Sequence, residues 1–379
     1  MFRKRIAAVL VLPLAAAGCS WFEPEEEDLD FAEYEQQLTE TYNESVRLSA
    51  ELEAAEDRIV KACLEKQGFT VHDPWEFRSE AQAERETFLD APPYVWFLPT
   101  VEDAQRRGFW QWTRLATPQA AEDGDALYAE WEAFQAEIGW ESIEFGEEEQ
   151  EHVEFFSLPD EEQFAWYVAY GGQAWAEWLH ADLIGGDQAD GSPGGEDEGV
   201  VIPVGGCRLE MIAAVYGELE EGEDEYSVRP GQPDGDWTRM KERYAEETED
   251  AEVAFLDCLV DRGQDGWEFY EGEILVHSYL VEAGEGEYAH YEYPDAGVRW
   301  PDPPADVPDA DDVDGWIEFE RDLATDFAEC GDESGYREAA AHGWEQAQLR
   351  YYLDIEGAVY AWQDEMRDLI AKAQDAIGA

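Results

Sequence analysis

Two stretches, "IVKACLEKQGFTVHDPWEF" (residues 59–77) and "AFLDCLVDRGQDGWEF" (residues 254–269), carry the same sentence twice. Each reads Cys-Leu-x-x-x-Gly and then Trp-Glu-Phe, with six residues before the Trp in the first copy and three in the second. Each follows a long stretch of helical periodicity. The first begins near Phe31 and places Leu38, Tyr42, Leu52, Ile59 and Cys63 on one stripe. The second begins near Asp236 and places Trp237, Met240, Tyr244, Ala251, Phe255 and Cys258 on another. Gly68 and Gly263 then read as helix stops. The chain therefore reads as two units descended from one, each opening with a helix that ends at a cysteine.

Four cysteines are available to staple these units: Cys63, Cys207, Cys258 and Cys330. An even number in an exported chain points to disulfides. No Cys-x-x-Cys occurs, and the spacing fits no zinc finger or ribbon. Each repeat copy has one later cysteine of its own, so the expected pairs are Cys63–Cys207 and Cys258–Cys330. The fold class expected is mainly α: two disulfide-stapled helical units from a diverged internal repeat, with long loops. The expected boundaries are 31–221 and 236–379, with 222–235 as linker. Within them, "SLPDEEQFAWYVAYGG" (157–172) predicts a helix capped by Ser157, with Phe164, Tyr167, Val168 and Trp175 on its apolar face. "GGCRLEMIAAVYG" opens another at Cys207. A helix from about Val313 carries Trp316, Phe319, Leu323, Phe327 and Cys330. The pattern from Tyr336 to Ile377 is a long helix in which Gly357 is a candidate break. Prolines and aromatics across 69–115 predict loops, short strands and one short helix.

The first residues give an address. Met1 to Arg5 is a positive n-region, and Ile6 to Ala17 is an apolar run of a dozen residues. That length suits a signal peptide and is too short to span a bilayer. Ala16-Ala17-Gly18-Cys19 resembles a bacterial lipobox, which implies removal of residues 1–18 and lipidation of Cys19. The competing reading is an ordinary secretory signal cut after Ala15-Ala16-Ala17. Two acyl chains would hold the protein stably on the membrane, and the acidic tract within 19–30 reads as an extended stalk. The expected location is the extracellular face of the cell membrane.

Charge excludes some partners. The chain has 379 residues with 93 acids against 24 Lys and Arg, a formal −69. Residues 1–18 hold three cations and no acid, so the mature chain would carry −72. Such a surface repels nucleic acid and anionic headgroups. With 44% apolar residues, 16 Trp, 18 Tyr and 17 Phe, the chain has ample material for cores.

The order "ACLEKQGF", "EDAQRRGFWQW", "SLPDEEQFAWYVAYGG" and "GGC" resembles a group of uncharacterised secreted lipoproteins of high-GC Gram-positive (actinobacterial) bacteria. The resemblance covers about residues 55–215 and departs at Gly108-Phe109-Trp110, where that group has a second glycine. It implies an exported, disulfide-bonded lipoprotein and implies no chemistry.

Glu149…His152 and Glu177…His180 are Glu-x-x-His steps, the helical spacing of di-iron bundles, but those bundles need two further Glu-bearing helices. "DRGQDGWEFYEG" (261–272) places Asp261, Asp265 and Gly266 at calcium-loop positions while putting Gly263 and Gly272 where ligands belong. No Gly-x-Ser-x-Gly, His-Glu-x-x-His, phosphate loop or dinucleotide fingerprint occurs. The expectation is a lipid-anchored surface protein without catalytic residues, metal or cofactor. Its partners would be the membrane, through its anchor, and a cell-envelope protein or glycan. The alternative is an envelope hydrolase with an acid pair among the many carboxylates.

Overall fold

A computed structural model describes residues 28–78, 82–110, 154–185, 202–219, 228–285, 300–304, 307–308 and 312–378, with single positions at 129, 131 and 133. Among these residues there are nine α-helices and no strand; one antiparallel bridge joins Tyr270 to Glu273. The helices are α1 (Phe31–Lys66), α2 (Val101–Arg107), α3 (Asp160–Gly171), α4 (Gln173–Leu179), α5 (Gly206–Val215), α6 (Trp237–Asp261), α7 (Val276–Glu285), α8 (Val313–Glu333) and α9 (Tyr336–Gly378).

The repeat explains itself at the ends of α1 and α6. At the first, the Phe69 N–H donates to the Leu64 carbonyl (3.1 Å) and the Gly68 N–H to the Glu65 carbonyl (3.0 Å). At the second, Gln264 N–H meets Leu259 C=O (2.9 Å) and Gly263 N–H meets Val260 C=O (3.0 Å). This is one Schellman stop built twice. It requires a left-handed residue, hence Gly68 at φ +99° and Gly263 at φ +86°. Leu64 and Leu259, whose carbonyls accept the closing bonds, have no exposed surface. The chain then folds back, and the Phe of each Trp-Glu-Phe lands on aromatics. Phe77 stands edge-on to Trp166 and Tyr170, and Phe269 lies against Phe97, Phe255 and Tyr336.

Both expected disulfides are present. Cys63–Cys207 has a Cα–Cα distance of 5.7 Å, and Cys258–Cys330 one of 5.6 Å. The first bridge ties α1 to α5, the second α6 to α8. Their second halves are not equivalent, since Cys207 starts its helix while Cys330 lies near the end of a 21-residue one. Two glycine pairs let Cys207 reach Cys63. Gly171-Gly172 crosses Gly205-Gly206 backbone to backbone, with the Gly205 N–H donating to Gly171 C=O at 2.7 Å. A Cβ on Gly206 would stand 2.3 Å from the Ala169 carbonyl oxygen.

Helix α9 is the spine. Its first half, through Tyr336, Ala340, Trp344, Ala347 and Tyr351, shares the largest core with Met240 and Tyr244 of α6. Its second half, through Trp362, Met366, Leu369, Ile370 and Ala373, packs on Leu48, Leu52 and Ala55 of α1. Helices α1 and α9 run parallel in constant register: Gln37 meets Tyr360, Glu44 meets Arg367 and Glu51 meets Gln374. Buried positions three and four apart on both helices form the seam. The segment after residue 82 crosses this spine. Phe88 is buried with Leu38, Tyr42 and Leu349, and Trp344 Nε1 donates to the Asp90 carbonyl (2.9 Å). Beyond the crossing, Phe97, Leu98, Ala104 and Phe109 enter the core shared by α6, α8 and α9.

Four local expectations differ from the structure. Ser157 does not cap α3: it closes a 3₁₀ turn, and Pro159 stands at the N-cap. Trp175 belongs to α4, because Gly172 (φ +93°) ends α3 first. Gly357 does not break α9, since a continuous helix there buries the residues on either side along its seam. Among the described residues of 69–115 there are no short strands but 3₁₀ turns at Trp75–Phe77 and Pro93–Trp96, since prolines there cannot donate to a ladder.

Candidate functional site

A cleft of about 320 Å³ opens between α1 and α9. Leu38, Thr41, Tyr42 and Ser45 of α1 form one wall. The other wall is Tyr351, Tyr352, Ile355, Glu356 and Val359 of α9. Gln232, Pro233 and Asp234 close the end. The two helices supply opposite walls because they run side by side there, at the upper end of their shared seam.

The hydroxyls of Thr41, Ser45, Tyr42 and Tyr351 are committed to the protein. Thr41 Oγ1 donates to the Gln37 carbonyl (2.8 Å) and Ser45 Oγ to the Thr41 carbonyl (3.1 Å). Below them, the buried Gln363 donates to Thr41 C=O and to Ser45 Oγ, both at 2.9 Å. The Tyr42 hydroxyl donates to Gln82. The Tyr351 hydroxyl donates to Asp234 and accepts the Gly235 N–H (3.0 Å). Burial, together with Asp234, raises the Tyr351 pKa. Asp234 is exposed and Glu356 half-buried. Glu356 accepts from Gln37 and from Tyr360 (3.1 Å).

The carboxylates that burial perturbs lie outside the cleft. Glu56 is buried on α1, and desolvation raises its pKa against the Tyr216 hydroxyl that donates to it and Arg229 3.9 Å away. Its neighbour Asp57 is pushed up to about 6 by desolvation, with Lys61 opposing. Both are eleven or more residues beyond Ser45, roughly 16 Å along the helix. Glu252 and Glu273 are raised by burial in the other unit.

A second polar cluster surrounds buried Asp73 in the first unit. The Tyr167 hydroxyl donates to Asp73 Oδ2 (2.6 Å), and the Trp75 N–H donates to Oδ1 (2.9 Å). The His180 ring stacks flat on Tyr167 with centroids 3.5 Å apart. Burial lowers the His180 pKa. Glu177 is an exposed residue taking a hydrogen bond from Gln173, while His180 leaves the helix at its C-cap. The second Glu-x-x-His step is therefore a surface acid and a stacked ring. Glu149 and His152 lie outside the described residues. Asp261 is the last residue of α6 and Gly263 its stop. Among the described residues no three His, Cys, Asp or Glu gather as a metal site would need, and no helix is long and apolar enough to cross a membrane. Cys19 and residues 1–27 lie outside the described residues.

The cleft was not foreseen from sequence. Its walls come from residues 38–45 and 351–359, and its end from the segment read as a linker.

No family model, curated protein or solved structure matches the chain.

Proposed function

We propose that the mature protein is a lipid-anchored cell-surface protein without catalytic activity that binds a cell-envelope component, glycan or protein, through the cleft between α1 and α9. The cleft carries the reading. It is concave and partly aromatic, of the size small ligands occupy, and its two acids are reached by water and held by neutral donors. An envelope hydrolase working through an acid pair would need two carboxyls facing one cleft with environments that drive their pKa values apart. Asp57 and Glu56 have the shifted environment and the wrong place.

The anchor fits the way the chain enters the fold. The Gln346 side chain pairs with both backbone groups of Leu29, donating to its carbonyl and accepting its N–H, each at 2.9 Å. Asp30 then caps α1. From Cys19 to that clamp there are about ten residues, so a lipid on Cys19 would keep the body within roughly 35 Å of the bilayer.

Two measurements test this. In fractionated cells Cys19→Ala should release the protein from the membrane; continued tight association would defeat the anchor. Separately, isolated envelopes should retain the purified unlipidated protein, and Thr41→Trp, which places an indole in the cleft, should abolish that retention. Equal retention of the two proteins would defeat the cleft as the binding site.

A further inference from the structure

We propose that the cleft selects a small organic ammonium group. The proposal rests on reading the cleft as the binding site and adds the chemistry of the ligand. Its first support is charge. Asp234 and Glu356 are the charged residues of the lining, and no Lys or Arg lines it. Arg85 pairs with Asp90 at 2.6 Å while its guanidinium lies over the Tyr42 ring at 4.7 Å, and Arg243 pairs with Asp354 at 3.5 Å. Anions are therefore excluded and a cation is attracted.

The second support is aromatic surface. Tyr42, Tyr351 and Tyr352 line the cleft. Arg85 already covers the Tyr42 ring, so Tyr351 and Tyr352 are the lining rings left to a ligand, and ring faces attract cations. Two of the three strongly exposed aromatic side chains among the described residues stand at its rim. Trp237, 40% exposed, lies edge-on to Tyr351 at 5.8 Å. Tyr360, 42% exposed, donates to Glu356. Exposed aromatics cost solubility and mark binding surfaces when they cluster.

The third support decides between an ammonium and a neutral sugar. A sugar site needs donors and acceptors free to meet several hydroxyls. Here Thr41 and Ser45 donate to backbone carbonyls of their own helix. The charged side chains of the lining are Asp234 and Glu356, and with them stand the Tyr351 and Tyr352 rings, the pairing that recognises an ammonium.

The test uses choline and its neutral isostere 3,3-dimethyl-1-butanol, titrated into the mature protein carrying Cys19→Ala. About 0.3 M salt shortens screening to about 6 Å and suppresses diffuse attraction to the acidic surface. Choline should saturate one site, with the isostere at least tenfold weaker. Asp234→Asn with Glu356→Gln should weaken choline at least tenfold, and Trp237→Ala should weaken it less. Equal binding of choline and isostere, which needs no variant, would overturn the proposal. So would full choline affinity in the double variant, the result expected of a counterion atmosphere. Envelope retention by the Thr41→Trp protein is read separately. Lost ammonium selectivity with cleft-dependent retention would overturn the ligand class alone, and cleft-independent retention would overturn the binding site itself.

Discussion

Gly206 decides more than its size suggests. Its φ is +56°, and an added methyl would meet the Ala169 carbonyl oxygen at 2.3 Å. Backbone cannot step aside as a flexible side chain can. Gly206→Ala should therefore destabilise by about 3 kcal/mol, combining left-handed strain with a steric clash. It should also slow oxidation of Cys63 with Cys207, since the same crossing delivers Cys207. Thermal unfolding and timed thiol trapping check this; a melting temperature within about 1 °C of wild type would refute it. The Gly-Gly-Cys motif was visible in the sequence. Its partner, the Gly171-Gly172 pair, was visible too, but a crossing of two backbones has no periodicity to betray it. The Cys-Leu-x-x-x-Gly stops were fully legible, because a Schellman end is written in consecutive residues. Ser157 misled because an N-cap preference is a local rule, and the 3₁₀ turn before it had already used that position.

Among elements, the two disulfides and the α1–α9 seam do different jobs. The bridges span 144 and 72 residues, and in the chain-entropy view each limits the unfolded state by about 4–5 kcal/mol as an upper figure. Cys63→Ala with Cys207→Ala should lower stability by a few kcal/mol while leaving helix content near its native value; loss of helicity at low temperature would show that the bridge builds the fold rather than stabilising it. The seam fixes register through one polar layer, Gln363 with Ser45 and the Thr41 carbonyl. Gln346 fixes where the tether joins. Gln346→Ala removes three hydrogen bonds, two to Leu29 and one from Arg350, worth roughly 1 kcal/mol each, and amide exchange at residues 29–32 should accelerate by tenfold or more. Unchanged exchange there would mean that Asp30 capping alone holds the helix start. Pairing of the cysteines was readable because the repeat counted them out, one later cysteine per copy. The parallel seam was not, since nothing in either helix names the other. The crossing of residues 82–110 into the core around α6 was equally hidden: aromatic content announces burial without saying where.

For the whole molecule, charge dominates. Burial raises Glu56, Glu252 and Glu273 and lifts Asp57 to about 6. A carboxyl raised in the folded state binds protons more tightly there than in the unfolded chain. Its contribution to stability is present at low pH and lost as pH rises through the folded value. His72 and His180 are lowered by burial, mainly, and act oppositely below about 6.5. Asp57 titrates inside the range from pH 7.5 to pH 5, and self-repulsion of a −69 chain relaxes in the same direction. The melting temperature should rise between pH 7.5 and pH 5, and at pH 7.5 it should rise with added salt. A melting temperature that falls over that pH range would reverse this ranking.

The claim that ties these scales together is that α1, the 232–234 segment and α9 form one binding surface. The most direct measurement is a hydrogen-exchange footprint of the unlipidated protein with and without saturating solubilised envelope material. Protection should concentrate in residues 232–237 and in the facing turns 38–45 and 351–360, and it should vanish in Thr41→Trp. Protection confined to other surfaces, or the same footprint in Thr41→Trp, would contradict the account.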